Sequence, residues 1–167
     1  MKEHLCKALN EQMNYEFYSS QVYMAKAAYC SAESLDGFAN FFIVQAEEER
    51  FHAMKIYRYL NARGKRATFT GMPEPNNEYR SVLEAFEQGY AHEQEVTRRI
   101  YHLSDLAMND REHATIQFLK WFIDEQVEEE DLFDGIIHKL KRIDQDSNAF
   151  FMLDSELGKR TFVPPAE

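Results

Sequence analysis

At 167 residues the chain is long enough for one domain with a sizeable core and short for two. Its 13 Phe and 9 Tyr exclude a disordered chain, while only 6 Gly and 4 Pro disfavour a turn-rich β architecture. The formal net charge of −10 argues against nucleic acid and anionic membranes as partners, because both would repel an acidic protein.

Neither the N-terminus nor any later stretch is apolar enough for a signal peptide or a transmembrane helix. The two cysteines, Cys6 and Cys30, fall on one predicted helix. At about 1.5 Å per residue that helix would hold them roughly 36 Å apart, far beyond the reach of a disulfide bond. We therefore expect two free thiols and a cytoplasmic protein without a membrane partner.

Apolar residues recur at steps of three and four along five segments, which predicts five helices. The first covers about residues 2–30. The second covers about residues 35–63, with Ser34 or Asp36 as its cap and Gly64 as its stop. Three more follow along the chain, over about residues 80–108, 111–143 and 148–158.

Residues 65–79 contain Gly71, Pro73, Pro75 and paired Asn, and form the only stretch that is typical of a long loop. Short connections join helices one to two and three to four, so each pair is predicted to be an antiparallel hairpin. The loop, extended at about 3.3 Å per residue, would reach along the bundle. The predicted fold is all-α: a single domain over residues 1–167, with a four-helix bundle, one long crossover loop and a short fifth C-terminal helix.

The apolar stripe of each long helix is interrupted near its midpoint by polar residues. Any one of them alone fits a solvated edge or a satisfied core histidine. Antiparallel helices of similar length bring their midpoints to one level, so the four interruptions together predict one polar layer in the core. The interrupting residues, in chain order, are Glu16, Glu49, His52, Glu93, Gln126 and Glu129.

Burying several carboxylates without a counter-charge would cost many kcal/mol. The predicted layer contains one His and no Lys or Arg, so the compensating charge is predicted to come from metal cations. Carboxylates with one imidazole and no thiolate favour iron or manganese over structural zinc. Glu49 and His52 lie one turn apart and can reach the same ion. Gln126 and Glu129 stand where di-iron carboxylate bundles have a second Glu-x-x-His pair, so the predicted site is asymmetric.

These residues stand in segments that resemble the bacterial non-haem ferritin family over nearly the full chain. The resemblance implies a ferritin-like fold and a homo-oligomeric shell of 24 subunits. It also implies a ferroxidase that oxidises Fe(II) with O2 or H2O2 and stores the Fe(III) mineral. The segments are NYEFYSS at 14–20, QAEEERFH at 45–52, HEQ at 92–94 and FLKWFIDEQVEEEDLF at 118–133.

The resemblance also assigns roles by position. Glu16, Glu49 and His52 match ligands of the first iron, with Glu49 bridging to the second. Tyr23 matches a family tyrosine that supplies an electron during oxidation, and Trp121 matches a nearby aromatic. Glu93 matches a ligand of the second iron, with Glu129 and Gln126 close by. Many bacterial members hold a third iron, and its ligand group matches Glu48, Glu125, Glu128 and Glu129.

Two departures separate this chain from the bacterioferritins. Those proteins carry a second Glu-x-x-His pair on the fourth helix, where Glu129 stands here in place of the histidine. They also bind haem through a methionine directly after the bridging glutamate, and the residue after Glu49 is Arg50. Haem is therefore not expected.

Three alternatives share some of these features. A di-iron enzyme of the same fold would use the same site. A rubrerythrin-like peroxidase usually adds a rubredoxin domain with paired CxxC motifs, and this sequence contains none. An oxygenase needs a substrate cavity. A mini-ferritin that protects DNA shares its ligands between subunits and often has a basic tail, whereas this chain carries a complete set. A purely structural bundle does not explain the carboxylate layer.

Overall fold

The computed structural model describes residues 1–144 and 146–164. α1 packs along α2 and α3 along α4, α1 also contacts α3, and α5 packs against α2. The described residues contain no strand, so the predicted all-α bundle with a short fifth helix is confirmed. The helices are α1 (Glu3–Ala32), α2 (Asp36–Ala62), α3 (Val82–Asn109), α4 (His113–Lys141) and α5 (Asn148–Leu157).

The ends of α2 follow from local backbone chemistry. Gly64 has a φ of 65°, and its amide N–H bonds back to the last turn of α2, so it stops the helix as the sequence predicts. The predicted cap at Ser34 or Asp36 is wrong. Leu35 precedes the helix without a side-chain cap, and Ser34 instead adopts a φ of 59° in the tight turn that follows α1.

The crossover between α2 and α3, residues 63–81, lies along α1. Oδ1 of Asn10 accepts a hydrogen bond from the amide of Thr68 at 2.7 Å. About five turns further along α1, the ring of Tyr29 lies 5.3 Å from that of Tyr79. The crossover therefore follows the bundle from one end towards the other, which places the start of α3 at the opposite end from the end of α2.

Two hydrophobic clusters lie at the two ends of the bundle. One includes Leu9, Ile56, Ile100 and Leu119 from the four long helices. The other contains a dense group of aromatic rings together with part of α5, and its members include Tyr23, Phe42, Phe86, Phe133 and Phe150. Along each long helix the polar interruption falls between members of the two clusters, so the packing that builds the core also positions the polar layer.

The two cysteines are unpaired, with Cys6 half-buried and Cys30 buried. Burial raises the pKa of the Cys30 thiol to about 12, which keeps it protonated and unreactive at neutral pH. Within the described part of the chain, no helix combines the length and the apolar character needed to cross a membrane.

Candidate metal centre

The polar residues that interrupt the helical stripes all lie in the core, and none is more than 4% exposed. The structure brings them from four helices to one level between the two hydrophobic clusters. They form the polar layer that the sequence predicts: Glu16 from α1, Glu49 and His52 from α2, Glu93 from α3, and Gln126 and Glu129 from α4.

Glu16, Glu49 and His52 form a compact group in which one ligand atom from each lies within 4.8 Å of the others. Oε1 of Glu16 accepts a hydrogen bond from Nε2 of Gln12 at 2.8 Å, but its Oε2 is buried and has no hydrogen-bond partner in the described part of the chain. Oε2 of Glu49 is likewise buried without a hydrogen bond, 3.4 Å from Nδ1 of His52. Buried oxygens without donors are costly, and a divalent cation would satisfy both.

On the opposite side of the polar layer, side-chain donors form hydrogen bonds with the carboxylates. The hydroxyl of Tyr23 donates to Oε1 of Glu93, and Nε2 of Gln126 donates to Oε2 of Glu93 at 3.1 Å. Oε2 of Glu129 accepts from Nε2 of Gln45 at 2.7 Å. Both oxygens of Glu93 and Oε2 of Glu129 thus have donors, whereas Oε2 of Glu16 and Oε2 of Glu49 have none among the described residues, so the layer is asymmetric.

Burial governs the electrostatics of the layer. Burial, followed by repulsion from Glu49, raises the pKa of Glu16 and of Glu129 to about 8 and that of Glu93 well above its usual range. Glu49 differs: burial opposes its ionisation, but the neighbouring His52 lowers the pKa of Glu49. Burial opposes the protonation of His52 as well, but its close contacts with the carboxylates of Glu125 and Glu49 raise the pKa of His52 well above its usual range. One imidazolium therefore faces four carboxyl groups, which a bound cation would stabilise in their ionised form.

A second group of carboxylates lies beside His52, around a surface cavity of about 400 Å³. Ligand atoms of His52, Glu125 and Glu129 lie within 4.8 Å of one another. Glu48 and Glu125 are about a quarter exposed, and Glu128 is exposed. The structure thus places the four residues that match a third-iron group around one space, here called the outer cavity, lined by Glu48, Glu125, Glu128 and Glu129.

Two aromatic side chains flank the polar layer. Tyr23 is fully buried, and its ring lies 5.7 Å from that of Phe133. Trp121 is half-buried, with its ring 5.4 Å from that of His52 in an edge-on arrangement. Both residues that the resemblance singles out beside the metal ligands therefore lie next to the layer.

One arginine lies just outside the polar layer, beside Glu48 and Gln45. Nη2 of Arg160 lies 2.6 Å from Oε2 of Glu48 in the outer cavity. Helical periodicity gave no signal for this contact, because Arg160 follows α5 and belongs to no helix. Gln12 was also missed, although its position four residues before Glu16 on α1 places it on the same helix face.

Four helices that carry a buried layer of carboxylates and one histidine define a carboxylate four-helix bundle. The profile of the ferritin-like domain family matches residues 6–143. A bacterial non-heme ferritin of Staphylococcus saprophyticus is 55% identical over 162 residues, which are 97% of this chain and 97% of that protein. One from Staphylococcus aureus is 53% identical, over 97% of this chain and 98% of that protein. The chain belongs to the ferritin family, among the bacterial non-haem ferritins.

Solved structures agree with this assignment. A ferritin of Archaeoglobus fulgidus engineered into a closed form has a TM-score of 0.96 and 42% identity, over 98% of this chain and 99% of that chain. The open-pore ferritin from the same archaeon has a TM-score of 0.94 and 42% identity, over 96% of this chain and 99% of that chain. The fold is therefore that of a ferritin subunit along almost the whole chain.

Proposed function

We propose that this chain stores and detoxifies iron as a ferroxidase subunit of a ferritin shell. Two Fe(II) ions bind in the polar layer, O2 or H2O2 oxidises them, and the Fe(III) product is stored as mineral inside the shell. The observation that carries the proposal is a pair of buried carboxylate oxygens, one on Glu16 and one on Glu49, which lie beside His52 and have no hydrogen-bond partner among the described residues. The non-heme ferritins among the relatives support iron as the metal.

The asymmetry of the layer supports two different iron positions. The first iron binds to Glu16, Glu49 and His52, the three side chains whose ligand atoms lie close to one another. Glu49 is assigned as the bridge to the second iron from the family resemblance, and the amide of Gln45, which contacts both Glu49 and Glu129, supports the closeness of the two carboxylates. The ligands of the second iron are Glu93 and Glu129, with Gln126 beside them. A third iron binds in the outer cavity, where its ligands are Glu48, Glu125, Glu128 and Glu129.

A pair of irons suits the chemistry because each Fe(II) gives up one electron. Two electrons and two protons take O2 to H2O2, or H2O2 to water. The second iron position has the amide of Gln126 where another carboxylate could stand, so it holds a cation with less negative charge. Weaker binding there lets Fe(III) leave for the acidic outer cavity.

The homo-oligomeric shell of 24 subunits is proposed from the family. Exposed apolar side chains support subunit contacts, since such groups mark association surfaces. Phe69 and Met72 in the crossover, and Phe151 and Met152 on α5, are each about half exposed or more. A cytoplasmic location without nucleic acid or membrane partners stays a prediction from the acidic charge and the free thiols.

Storage is tested by adding Fe(II) in air, at roughly several hundred ions per assembled particle, and separating the products by size-exclusion chromatography with iron detection. We expect iron to elute with a very large protein particle. Uptake that stops near two irons per chain on a small oligomer would contradict storage. It would favour instead a non-storage di-iron enzyme of the same fold, such as a rubrerythrin-like peroxidase or an oxygenase.

The iron positions are tested separately by the initial rate of Fe(II) oxidation. Glu49→Ala and His52→Ala should each slow the rapid phase by at least about 10- to 100-fold, because a ligand is lost. Glu47→Ala is the matched control, since Glu47 lies on the same helix turn and is exposed. Rapid oxidation that survives in either ligand variant would overturn the assignment.

A further inference from the structure

The tail that follows α5 runs along α2 towards the polar layer. Nδ2 of Asn40 donates to the carbonyl oxygens of Leu157 at 3.1 Å and of Arg160 at 2.9 Å. Beyond that point the ring of Phe162 lies 6.2 Å from the ring of Phe51. The backbone around Arg160 is therefore anchored on α2 independently of the arginine side chain.

The guanidinium of Arg160 is bound by several acceptors on α2. Nη1 donates to the carbonyl of Phe41 at 3.2 Å and to Oε1 of Gln45 at 3.0 Å, while Nη2 donates to Oε2 of Glu48 at 2.6 Å. The guanidinium also lies 4.4 Å from the centre of the Phe41 ring. With its side chain only 19% exposed, Arg160 is an ordered cation at the edge of the outer cavity.

Arg160 also reaches the inner carboxylates through one amide. Arginine carries only donors, so its contact with Oε1 fixes the orientation of the Gln45 amide. The amide nitrogen Nε2 is then left to donate to Oε2 of Glu129 at 2.7 Å and to Oε1 of Glu49 at 3.4 Å. The same guanidinium thus contacts Glu48 directly and influences Glu129 and Glu49 through Gln45.

We propose that Arg160 is a tethered competitor of the metal in the outer cavity: its guanidinium holds Glu48, and a divalent cation binds there by displacing it. This inference rests on the proposed function, because it takes the outer cavity as an iron position. A guanidinium and a divalent cation repel each other, so the contact of Arg160 with Oε2 of Glu48 disfavours a cation on that carboxylate. Since Asn40 anchors the backbone, the side chain can leave while the tail stays in place.

Competition of this kind makes the outer cavity a weak and reversible position. Iron that enters must separate Arg160 from Glu48 and Gln45, and the returning guanidinium favours release of the ion. Displacement also frees the amide of Gln45 to turn away from Glu129. The residue therefore couples filling of the outer cavity to the carboxylates of the polar layer.

The test is calorimetric titration of the assembled, iron-free particle with Co²⁺, which stays divalent in air. The variants are Arg160→Gln and, as matched control, Lys159→Gln, which removes the same charge from the exposed neighbouring residue. Each chain should bind two ions tightly and a third more weakly. Arg160→Gln should bind the third ion on the order of tenfold more tightly, because the cation no longer has to break charged hydrogen bonds. Lys159→Gln should match the wild type.

Arg160→Lys provides a second variant, which keeps the positive charge and loses the planar fork of donors. Its third-ion affinity should lie between those of the wild type and Arg160→Gln. A third-ion affinity equal to that of the wild type in either Arg160 variant would overturn the proposal. If the first two ions fail to bind in any form of the protein, the proposed function fails instead, so the two failures are distinguishable.

Discussion

The hydroxyl of Tyr23 donates a hydrogen bond to Oε1 of Glu93, and both side chains are fully buried. On its far side the ring of Tyr23 stacks on Phe42 at 6.2 Å, within the aromatic cluster. Burial, together with the charge of Glu93, raises the pKa of the Tyr23 phenol well above its usual range. Tyr23 is therefore a protonated phenol that links the aromatic cluster to a proposed iron ligand.

Replacing Tyr23 by Phe should leave Co²⁺ binding intact and remove a tyrosyl radical formed when Fe(II) reacts with O2, since a phenyl ring is much harder to oxidise. The loss of a donor to Glu93 should also destabilise the metal-free protein by about 1–3 kcal/mol. EPR after rapid mixing and thermal unfolding measure the two effects. Tyr101→Phe is the control, because Tyr101 is 48% exposed. An undiminished radical in Tyr23→Phe would contradict the proposed electron donor.

Replacing Gln126 by Glu should destabilise the metal-free protein and strengthen binding of the second cation. The substitution removes the donor that bonds Glu93 at 3.1 Å and places a like charge beside it, but it supplies a further anionic ligand. Thermal unfolding without and with Co²⁺ should therefore show a lower midpoint and a larger metal-induced rise than in the wild type. Gln94→Glu adds the same charge at an exposed position and should change neither. An equal metal-induced rise in both variants would refute the role of Gln126.

The polar layer was predictable from sequence because helical periodicity reports which face of each helix meets the core. In α3, for example, Gly89, Glu93 and Val96 follow one stripe, and all three are buried. Arg160 could not be predicted in this way, since its contact with Glu48 spans 112 positions and depends on the path of the tail. The burial of Lys26 could not be predicted for a similar reason, because its amine contacts Tyr79 of the crossover, 53 positions away.

Gly89 allows α3 and α4 to approach closely. A Cβ at this position would lie 2.4 Å from Cε1 of Phe133, whose ring packs on Tyr23. Gly89→Ala should therefore destabilise the protein by about 1–3 kcal/mol, because the ring must leave its packed position. Gly135→Ala on α4 is the control: a Cβ there meets nothing within 4 Å, and the change should stabilise the helix by about 0.5–1 kcal/mol. If thermal unfolding showed that both substitutions change the stability of the protein in the same direction, the close approach of the two helices would be unimportant.

Lys26 is a buried cation outside the polar layer. Its side chain is 2% exposed, its Nζ lies 3.3 Å from the hydroxyl of Tyr79, and the same atom lies 4.4 Å from the centre of that ring. Burial lowers the pKa of Lys26 to about 8, although the nearby Cys30 and Glu84 oppose the shift. The ammonium form is thus less stable in the folded chain than in the unfolded chain.

The stability of the protein should consequently depend on pH through Lys26. Below pH 8 both states bind the proton, and the cost of the buried charge is fully present. Between pH 8 and 10.5 the unfolded chain binds the proton and the folded chain has lost it, so the free energy of unfolding rises with pH. Relative to Lys26→Met, the wild type should gain about 3 kcal/mol across this range in urea unfolding. Lys7→Met, at an exposed position on α1, should show no such trend, and a pH-independent difference for Lys26→Met would contradict the lowered pKa.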